Sequence, residues 1–541
     1  MPQLPTNVYD VLAHAANRFG DAEFLVVGRR AEVTGFRDLA RRADGFGRML
    51  AGLGVRPGDR VALWMMNQVD WAVAAYGVAR CGAVMVGVNT RLSAREVAHM
   101  LALTRPAVWI LEADFLGKIA AVDSVAPVLA DLAARGVAAP RILLRDMSGE
   151  GRPDMLDWHQ TLTGADALPA LPPAAELVRR AGDGDDPTLR GVAAILSTSG
   201  TTAAPKGVML GHERLIRLAA ACAGRQELRP GQRFYSVGPF FHCSGYMHAL
   251  LANLTAGSTL YTTGGYDPQE AWEVIAGEGI TLYHGSIVPL QELALLPQFD
   301  RARIARFDRA WYSAPAVEMA RMEALFGTRM CEVYGLTETG GNVAICTAAD
   351  PTDMRHDSDG RPHDGLEVDI IDPQSGQRVA DGTPGEILVR GWNVMLGYYG
   401  DPEATAKAID TDGWLHTGDQ GVRLPGGYIK FLSRLKDVIR VGGENLSPLE
   451  VEEVLMGHPG VREAAVVSQP HARLGEVPVA FIVPSTAGAT AEELRTWCRG
   501  QLANFKVPVR FIFRDDLPRS SAVRGRVAKI RLREMLLEDA G

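Results

Sequence analysis

The chain has 541 residues, of which 47% are hydrophobic and 22% charged, and its 56 basic and 64 acidic residues give a formal net charge of −8. This composition excludes wholesale disorder. Basic residues do not outnumber acidic ones, so the chain lacks the positive charge that binding to nucleic acid requires. The length predicts several folding units with room for large cores.

The six cysteines are spread along the sequence with no Cys-x-x-Cys pair among them. This spacing argues against a zinc finger or a secreted disulfide framework and is typical of a reducing compartment. The first 20 residues carry Asp10, His14 and Arg18 and lack an apolar core segment, so no secretory signal is predicted. We therefore expect a cytoplasmic protein.

The first predicted helix shows apolar residues at helical spacing, and Gly54 is placed to end it. The most apolar stretch, residues 71–88, is interrupted by Arg80 and three glycines. It predicts a buried helix over 71–80 and a core strand over 83–88, because a membrane span needs about 20 mostly apolar residues. The apolar positions of the first helix are Phe36, Leu39, Ala43, Phe46, Leu50 and Leu53.

Helix and strand signals continue to alternate along the chain, which favours α/β layering over a helical bundle or a sandwich. Two regions resemble surface connections: 148–190, with one short helix at 174–180, and 421–434, with a β-like segment at 428–432. Further strands are predicted at 60–64, 192–196, 281–284 and 386–389.

A second, smaller domain is predicted beyond the connection at 421–434, because regular patterns begin again there. We expect domains at 1–434 and 435–541. The elements predicted for the second domain are helices at 448–455 and 492–502 and strands at 464–468 and 479–483.

A hydroxyl-rich run follows the predicted strand at 192–196. Small hydroxyl residues and glycine let backbone amides and side-chain hydroxyls converge on anionic oxygens, and Lys206 adds a positive charge. A Walker loop is excluded because Pro205 precedes Lys206 and Gly207 follows it. The run predicts a phosphate-binding loop, with an ordinary surface turn as the alternative. It reads Ser197-Thr198-Ser199-Gly200-Thr201-Thr202-Ala203-Ala204-Pro205-Lys206-Gly207.

This loop resembles the phosphate loop of the adenylate-forming superfamily, which includes acyl-CoA synthetases, coumarate ligases, peptide-synthetase adenylation domains and luciferases. Further segments match family motifs in the family's order and together cover nearly the whole chain. Each is weak alone, but the ordered set is specific. They are Pro239-Phe240-Phe241-His242-Cys243-Ser244-Gly245, Ser313-Ala314-Pro315, Tyr334-Gly335-Leu336-Thr337-Glu338, Gly413-Trp414-Leu415-His416-Thr417-Gly418-Asp419, Arg434-Leu435-Lys436-Asp437, Gly442-Gly443-Glu444-Asn445 and Phe505-Lys506-Val507-Pro508.

The resemblance implies an α/β fold of mixed α+β layers, with a large N-terminal domain of layered sheets and helices and a small, mobile C-terminal α+β domain. It also implies an AMP-forming acid–thiol ligase. A carboxylate oxygen would attack the α-phosphorus of ATP to give an acyl-adenylate and pyrophosphate, and a thiol, usually that of coenzyme A, would then displace AMP. Positioning and charge stabilisation should dominate such catalysis.

On the phosphate side, the resemblance implies that Thr337 donates to the α-phosphate and that Glu338 helps to bind Mg²⁺, a hard cation suited to carboxylate oxygen. A solvated glutamate in a turn is the alternative for Glu338. Lys206, Thr337 and Glu338 are the catalytic candidates of this group. The loop residues expected to hold the β- and γ-phosphates are Thr198, Ser199, Gly200, Thr201, Thr202 and Lys206.

On the nucleoside side, Tyr334 would lie against the adenine, with a core aromatic as the alternative reading. Asp419 would accept hydrogen bonds from both ribose hydroxyls, and Arg434 would contact the same ribose. The remaining residues expected at the adenine are Ser313, Ala314, Pro315 and Gly335.

For thiol transfer, the resemblance implies that the small domain rotates about Lys436, so that one site serves both half-reactions. Gly442 and Gly443 would border the pantetheine tunnel, unless they only form a hairpin turn. His242 would stand between acyl pocket and thiol channel next to Phe241, and a satisfied core histidine is the alternative.

Bulky residues precede Ala314-Pro315 where relatives often have small ones. Tyr312 could therefore shorten the acyl pocket and disfavour long chains, unless its ring points into the core.

The C-terminal segment departs from the family pattern, which has Pro-Arg-Thr, two residues and then Gly-Lys. Here Pro518-Arg519-Ser520 is separated from Gly525-Arg526 by extra residues. We expect Arg526 to take the place of the lysine that bridges the acyl carboxylate and the α-phosphate, although guanidinium and ammonium are not interchangeable. Arg524 and Lys529 are the other candidates.

The sequence thus predicts an acyl-CoA synthetase that uses ATP, Mg²⁺, coenzyme A and an aryl, aryl-propenoyl or short-to-medium acyl carboxylate. It predicts no nucleic-acid partner and no membrane span, and either a monomer or a homodimer. Two alternatives stay open: an adenylating enzyme with a carrier-protein thiol, another acceptor or another oxyanion, and a nucleotide-binding sensor without turnover.

Overall fold

The computed structural model describes residues 5–115, 121–146, 152, 154–181, 186–198, 205–441, 444–471, 473–519 and 527–538. The helices are α1 (Val8–Phe19), α2 (Phe36–Gly52), α3 (Val69–Arg80), α4 (Ala94–Thr104), α5 (Val125–Ala134), α6 (Trp158–Leu162), α7 (Ala174–Arg180), α8 (His212–Arg225), α9 (Ala252–Ala256), α10 (Pro268–Gly277), α11 (Ile287–Ala294), α12 (Ala316–Phe326), α13 (Thr352–Asp357), α14 (Pro402–Ala408), α15 (Pro448–Met456), α16 (Ala491–Arg499) and α17 (Lys529–Glu538).

The strands alternate with these helices, as the sequence predicts. They are β1 (Glu23–Val27), β2 (Glu32–Gly35), β3 (Arg60–Trp64), β4 (Val84–Gly87), β5 (Val108–Glu112), β6 (Arg141–Arg145), β7 (Leu156–Asp157), β8 (Val192–Ser197), β9 (Gly207–Gly211), β10 (Arg233–Ser236), β11 (Thr259–Thr262), β12 (Leu282–His284), β13 (Arg309–Trp311), β14 (Arg329–Cys331), β15 (Val333–Tyr334), β16 (Ala344–Ile345), β17 (Arg361–Pro362), β18 (Leu366–Ile371), β19 (Gly385–Gly391), β20 (Gly397–Tyr398), β21 (Leu415–Arg423), β22 (Ile429–Arg434), β23 (Ile439–Val441), β24 (Glu444–Leu446), β25 (Val461–His471), β26 (Gly475–Pro484) and β27 (Arg510–Phe513).

The chain divides into two compact units, and it crosses between them more than once. The first unit comprises Met1–Trp311, Gly335–Val343 and Gly391–Ile409, and the second comprises Tyr312–Tyr334, Ala344–Arg390 and Asp410–Gly541. The predicted boundary at 434/435 falls inside the second unit, between β22 and β23, and stays a prediction.

The first unit is built on two largely parallel sheets. One has the order β20-β9-β8-β4-β3-β5-β6-β7, in which the pairs β8–β9 and β9–β20 are antiparallel and β8 is parallel to β4. The other contains β13-β12-β10-β11-β1-β2, in which only β2 runs antiparallel within this unit. Strands buried on both faces need helical crossovers, and this explains why the apolar stretch at 71–88 forms α3 and β4.

The second unit contains the sheets β15-β16-β17 and β18-β19-β21-β22, and a further sheet β24-β23-β26-β25 with β27 paired to β26. In the last sheet, side chains alternate between two cores. Val466 and Ile482 pack with α15 and α16, whereas Val467 and Phe481 pack with α17. The small domain predicted from the sequence therefore has a hydrophobic core on each face of its own sheet.

Two predicted connections contain regular structure instead. The region 148–190 includes the predicted α7, but also β7, which pairs with β6, and α6. The region 421–434 is mostly the β21–β22 hairpin, because its Pro425–Gly427 turn is short and both flanks pair in register. The β-like segment predicted at 428–432 is confirmed as β22, but the interpretation of 421–434 as a connection was wrong. In 148–190, β7 was missed because two residues carry no alternation.

Within the ranges given above, no helix combines the length and the apolarity that crossing a membrane requires. All six cysteines are buried.

Helices α2 and α3 approach closely because each carries a glycine at the contact. A Cβ on Gly77 would lie 2.7 Å from Cδ1 of Phe46 and 3.0 Å from the carbonyl oxygen of Ala43. We expect Gly77→Ala to push the helices apart and to lower the free energy of unfolding by about 1–3 kcal/mol in urea denaturation.

The matched control is Gly224→Ala in α8, where an added Cβ would meet no atom within 4 Å. That change should be neutral or slightly stabilising, because alanine favours helix more than glycine does. Equal destabilisation by both substitutions would contradict close packing as the cause.

Candidate active site

The phosphate loop predicted from the sequence begins and ends at residues that hydrogen-bond to each other. The backbone N–H of Thr198 donates to the Lys206 carbonyl at 3.1 Å, and the N–H of Lys206 donates to the Thr198 hydroxyl at 3.4 Å. These contacts close the loop at the ends of the antiparallel strands β8 and β9. Ser199, Gly200, Thr201 and Thr202 lie outside the described residues.

The turn that carries Thr337 and Glu338 is held by hydrogen bonds among its own residues. Thr337–Thr339 form a single 3₁₀ turn, and the Thr339 hydroxyl accepts a hydrogen bond from the N–H of Leu336 at 3.2 Å. Gly335 is required before this turn, because a Cβ there would lie 2.4 Å from the Gly341 carbonyl oxygen. The sequence motif therefore needs a glycine for close backbone approach.

Lys206 and Glu338 contact the same tyrosine, Tyr398, which lies outside the motifs identified in the sequence. The Tyr398 hydroxyl donates to Oε1 of Glu338 at 2.8 Å, and Nζ of Lys206 lies 4.5 Å from the centre of the Tyr398 ring. A cavity of about 390 Å³ is lined by Lys206, Tyr398 and residues of α14. Two motif residues 132 positions apart in the sequence thus meet in the first unit.

In the second unit, Asp419 is almost completely buried, with 1% of its surface exposed, yet it has two polar partners. The Tyr334 hydroxyl donates to its Oδ2 at 2.8 Å, and Nε of Arg434 lies 2.9 Å from its Oδ1. Asp419 and Arg434 are register partners in the β21–β22 hairpin. Burial and the neighbouring Asp419 carboxylate raise the pKa of Tyr334 well above its usual value.

The segment Ser313-Ala314-Pro315 is fixed by a buried glutamate that was also missed. Oε1 of Glu332 accepts a hydrogen bond from the Ala314 N–H at 2.6 Å, and its Oε2 accepts one from the Val333 N–H. Burial, and then the nearby Asp359 carboxylate, raise the pKa of Glu332 well above its usual range. Its position two residues before Tyr334 was the available signal. Tyr312 is fully buried.

His242 precedes a π-helix, Ser244–Leu251, a feature often found at functional sites. Its Nδ1 accepts a hydrogen bond from the Ser244 N–H at 3.2 Å. Gly245 is required here, because a Cβ would lie 2.2 Å from the carbonyl oxygen of Pro239. Phe241 is buried beside it.

A stacked histidine pair lies in the same unit and was not predicted. The rings of His248 and His284 are 4.3 Å apart, and Nε2 of His248 lies 3.1 Å from the carbonyl oxygen of Gly341. Burial is the main cause that lowers the pKa of His248 to about 4 and that of His284 well below its usual range, and the neighbouring imidazole groups lower both further. Both rings are therefore neutral at pH 7.

Lys436 is exposed in the 3₁₀ turn Leu435–Asp437. In the C-terminal segment, Lys529 begins α17 and its Nζ lies 2.6 Å from Oε1 of Glu452. Arg524, Arg526, Gly442 and Gly443 fall outside the described residues.

Two family descriptions match this chain: AMP-binding enzyme over residues 12–399 and AMP-binding enzyme C-terminal domain over residues 450–522. The chain belongs to the AMP-binding enzyme family.

The chain is 34% identical to the "3-[(3aS,4S,7aS)-7a-methyl-1,5-dioxo-octahydro-1H-inden-4-yl]propanoyl:CoA ligase" of Rhodococcus jostii (strain RHA1), over 99% of each chain. It is 32% identical to the "Fatty acid--[acyl-carrier-protein] ligase ScoC" of Streptomyces coeruleorubidus, over 100% of this chain and 98% of that one. ATP-bound MatB from Rhodopseudomonas palustris superimposes with a TM-score of 0.83 at 27% identity, covering 99% of this chain and 100% of that one.

These matches confirm the resemblance to the adenylate-forming superfamily and the mixed α/β fold class. They also confirm the prediction of an enzyme of the acyl-CoA synthetase class.

The buried histidines predict acid sensitivity. Because His248 is neutral when folded, the unfolded chain binds the extra proton between the ordinary pKa of 6.5 and the folded value of about 4. Stability should therefore fall as the pH falls from 7 to 5, by about 2 kcal/mol for this one group. Chemical denaturation at several pH values measures the slope.

In His248→Gln the loss of stability between pH 7 and 5 should be smaller than in the unmodified chain, whatever the absolute stability of the variant. His159→Gln, at an exposed position, is the control and should leave the slope unchanged. Identical slopes for His248→Gln and the unmodified chain would contradict the assignment.

Proposed function

We propose that this chain activates an aryl, aryl-propenoyl or short-to-medium acyl carboxylate with ATP and transfers the acyl group to coenzyme A. The observation that carries the proposal is the meeting of Lys206 and Glu338 on Tyr398, because it gathers a cation and a carboxylate from separate phosphate-binding motifs. The cytoplasm, which supplies ATP and coenzyme A, is the proposed location.

The proposed chemistry has two balanced steps. A substrate carboxylate oxygen bonds to the α-phosphorus of ATP while the bond to pyrophosphate breaks, which gives the acyl-adenylate. The coenzyme A thiol then loses its proton to solvent and attacks the acyl carbonyl, and AMP leaves as the bond between the acyl carbon and the phosphate oxygen breaks. Side chains supply charge and position in both steps.

On the phosphate side, Lys206 would neutralise phosphate oxygens and Thr337 would donate to the α-phosphate. Among the residues that the structure describes, no group of three or more His, Cys, Asp or Glu side chains could hold a metal. A single carboxylate nevertheless fits Mg²⁺, which binds through one or two carboxylates together with substrate phosphates. Glu338 would hold it, and the ion would neutralise charge on the phosphates.

On the nucleoside side, Asp419 would accept the ribose hydroxyls, and the Tyr334 ring would pack against adenine. Arg434, whose Nε lies 2.9 Å from Oδ1 of Asp419, would fix the carboxylate in this position. Glu332, which fixes the Ser313-Ala314-Pro315 segment, would support the adenine edge.

For the second step, we propose that the small domain turns about Lys436, that Gly442 and Gly443 border the pantetheine, and that His242 with Phe241 shapes the acyl side. The proposal that Tyr312 limits the length of the acyl chain is separate. An acyl-carrier-protein thiol is the second candidate acceptor, favoured by full-length similarity to a ligase with that name.

The activity is tested by ATP–pyrophosphate exchange across a panel of carboxylates, followed by thioester formation with coenzyme A or with a phosphopantetheine-loaded carrier protein. We expect exchange with at least one acid, and Lys206→Ala or Glu338→Gln should lower it by about 100-fold or more. Asp419→Asn should mainly raise the KM for ATP, because ribose contacts contribute to ground-state binding.

Lys430→Ala is the control for Lys206→Ala, because it removes a lysine that pairs with Asp357 outside the motifs. Its exchange rate should stay near that of the unmodified chain. Nucleotide binding without exchange for every acid would favour a sensor, and exchange without either thioester would favour another acceptor.

Arg526 is the proposed bridge between the acyl carboxylate and the α-phosphate. Lys529 is an alternative candidate for this role, and it lies within the described residues. We expect Arg526→Ala to lower pyrophosphate exchange by about 100-fold while thioester formation from pre-made acyl-adenylate continues. Lys529→Ala should instead lower thermal stability, because it leaves the 8%-exposed Glu452 without its cation. The reverse pattern would transfer the role to Lys529.

A further inference from the structure

The backbone of Tyr398 is fixed against the strand that follows the phosphate loop. Strand β20 pairs antiparallel with β9, with Tyr398 opposite Val208. The Tyr399 N–H donates to the Gly207 carbonyl at 2.8 Å, and the Tyr398 N–H donates to the Thr405 hydroxyl at 2.9 Å. The side chain of Tyr398 thus starts from a rigid position next to Lys206.

The same chain segment also anchors the turn that carries Glu338. The Met395 N–H donates to the Glu338 carbonyl at 2.7 Å, and Nδ2 of Asn393 donates to the Asn342 carbonyl at 2.8 Å. Residues 393–399 therefore join the end of the phosphate loop to the Thr337–Glu338 turn through hydrogen bonds on both sides.

The Tyr398 side chain stands between opposite charges. Its hydroxyl donates to Glu338, and its ring face lies under the ammonium of Lys206. Among the described residues no ion pair joins Lys206 to Glu338. A direct ion pair would neutralise both groups. A cation over an aromatic ring is held more weakly, so the ammonium can readily leave the ring and bind an anion instead.

We propose that Tyr398 is a positioning residue for the triphosphate end of ATP. Its hydroxyl orients the Glu338 carboxylate toward the metal–phosphate group, and its ring keeps the Lys206 ammonium available for phosphate oxygens. This inference rests on the proposed function, and it assigns Tyr398 no contact with the reacting atoms.

Two substitutions separate the two contacts. Tyr398→Phe removes only the hydroxyl, so the Mg²⁺ concentration that gives half-maximal exchange should rise about 10-fold, while the KM for ATP at saturating Mg²⁺ changes by less than about 2-fold. Tyr398→Leu removes the ring as well and should also weaken ATP binding measured by calorimetry without Mg²⁺.

Tyr428→Phe is the matched control. The Tyr428 hydroxyl donates to Asp350 at 2.7 Å and Arg361 lies 4.2 Å over its ring, so the same two contacts occur outside the motifs. Its Mg²⁺ dependence should equal that of the unmodified chain even if its melting temperature falls.

A double-mutant cycle with Glu338→Gln tests whether Tyr398 acts through the carboxylate. Calorimetric binding of ATP with and without Mg²⁺ is the readout, so the cycle needs no turnover. In the Glu338→Gln background, Tyr398→Phe should no longer change the Mg²⁺-dependent part of ATP affinity.

The proposal is overturned if Tyr398→Phe keeps the Mg²⁺ dependence of the unmodified chain, or if its effect is undiminished in Glu338→Gln. Failure of the proposed function is a different result: no acid supports pyrophosphate exchange in the unmodified chain. The calorimetric cycle still decides the role of Tyr398 in that case.

Discussion

Both groups of motif residues depend on the same interaction, a hydrogen bond from a tyrosine hydroxyl to a carboxylate, which is a group that carries a full charge when ionised. Removing such a charge from water costs several kcal/mol unless hydrogen bonds or cations replace the water. Asp419 and Glu338 each receive a tyrosine hydroxyl at 2.8 Å, from Tyr334 and Tyr398 respectively. Each tyrosine reaches its carboxylate because a short strand, β15 or β20, fixes its backbone.

The cations beside these carboxylates are arranged differently. Arg434 pairs directly with Asp419, whereas the Tyr398 ring lies next to Lys206. A carboxylate that accepts a hydrogen bond from a neutral hydroxyl keeps its negative charge and can still bind a cation. In the proposed function Lys206 binds phosphate and Glu338 binds a metal ion, and a direct pair between them would neutralise both charges, whereas a neutral aromatic group beside them leaves both charges available.

The sequence predicted helices and strands well where several apolar residues follow one another or recur at regular spacing. The helix expected at 71–80 is α3, the strand at 192–196 is β8, and the helix at 448–455 is α15. The π-helix after His242 was missed because its i→i+5 pattern leaves no distinct period in eight residues. The strands at 156–157 and 397–398 were missed because two residues carry no alternation.

What the sequence determined by itself was the set of chemical groups and their order: a hydroxyl-rich loop with Lys206, the Thr337–Glu338 turn, Asp419 and Arg434. The loop could be recognised because small hydroxyl residues, glycine and a lysine at close spacing are typical of phosphate binding, and the other groups because their motifs resemble those of the family. Only the tertiary structure decided which side chains support them, because Tyr398 and Glu332 act through contacts made by folding, and a hydrogen bond between residues 60 positions apart leaves no local pattern in a sequence.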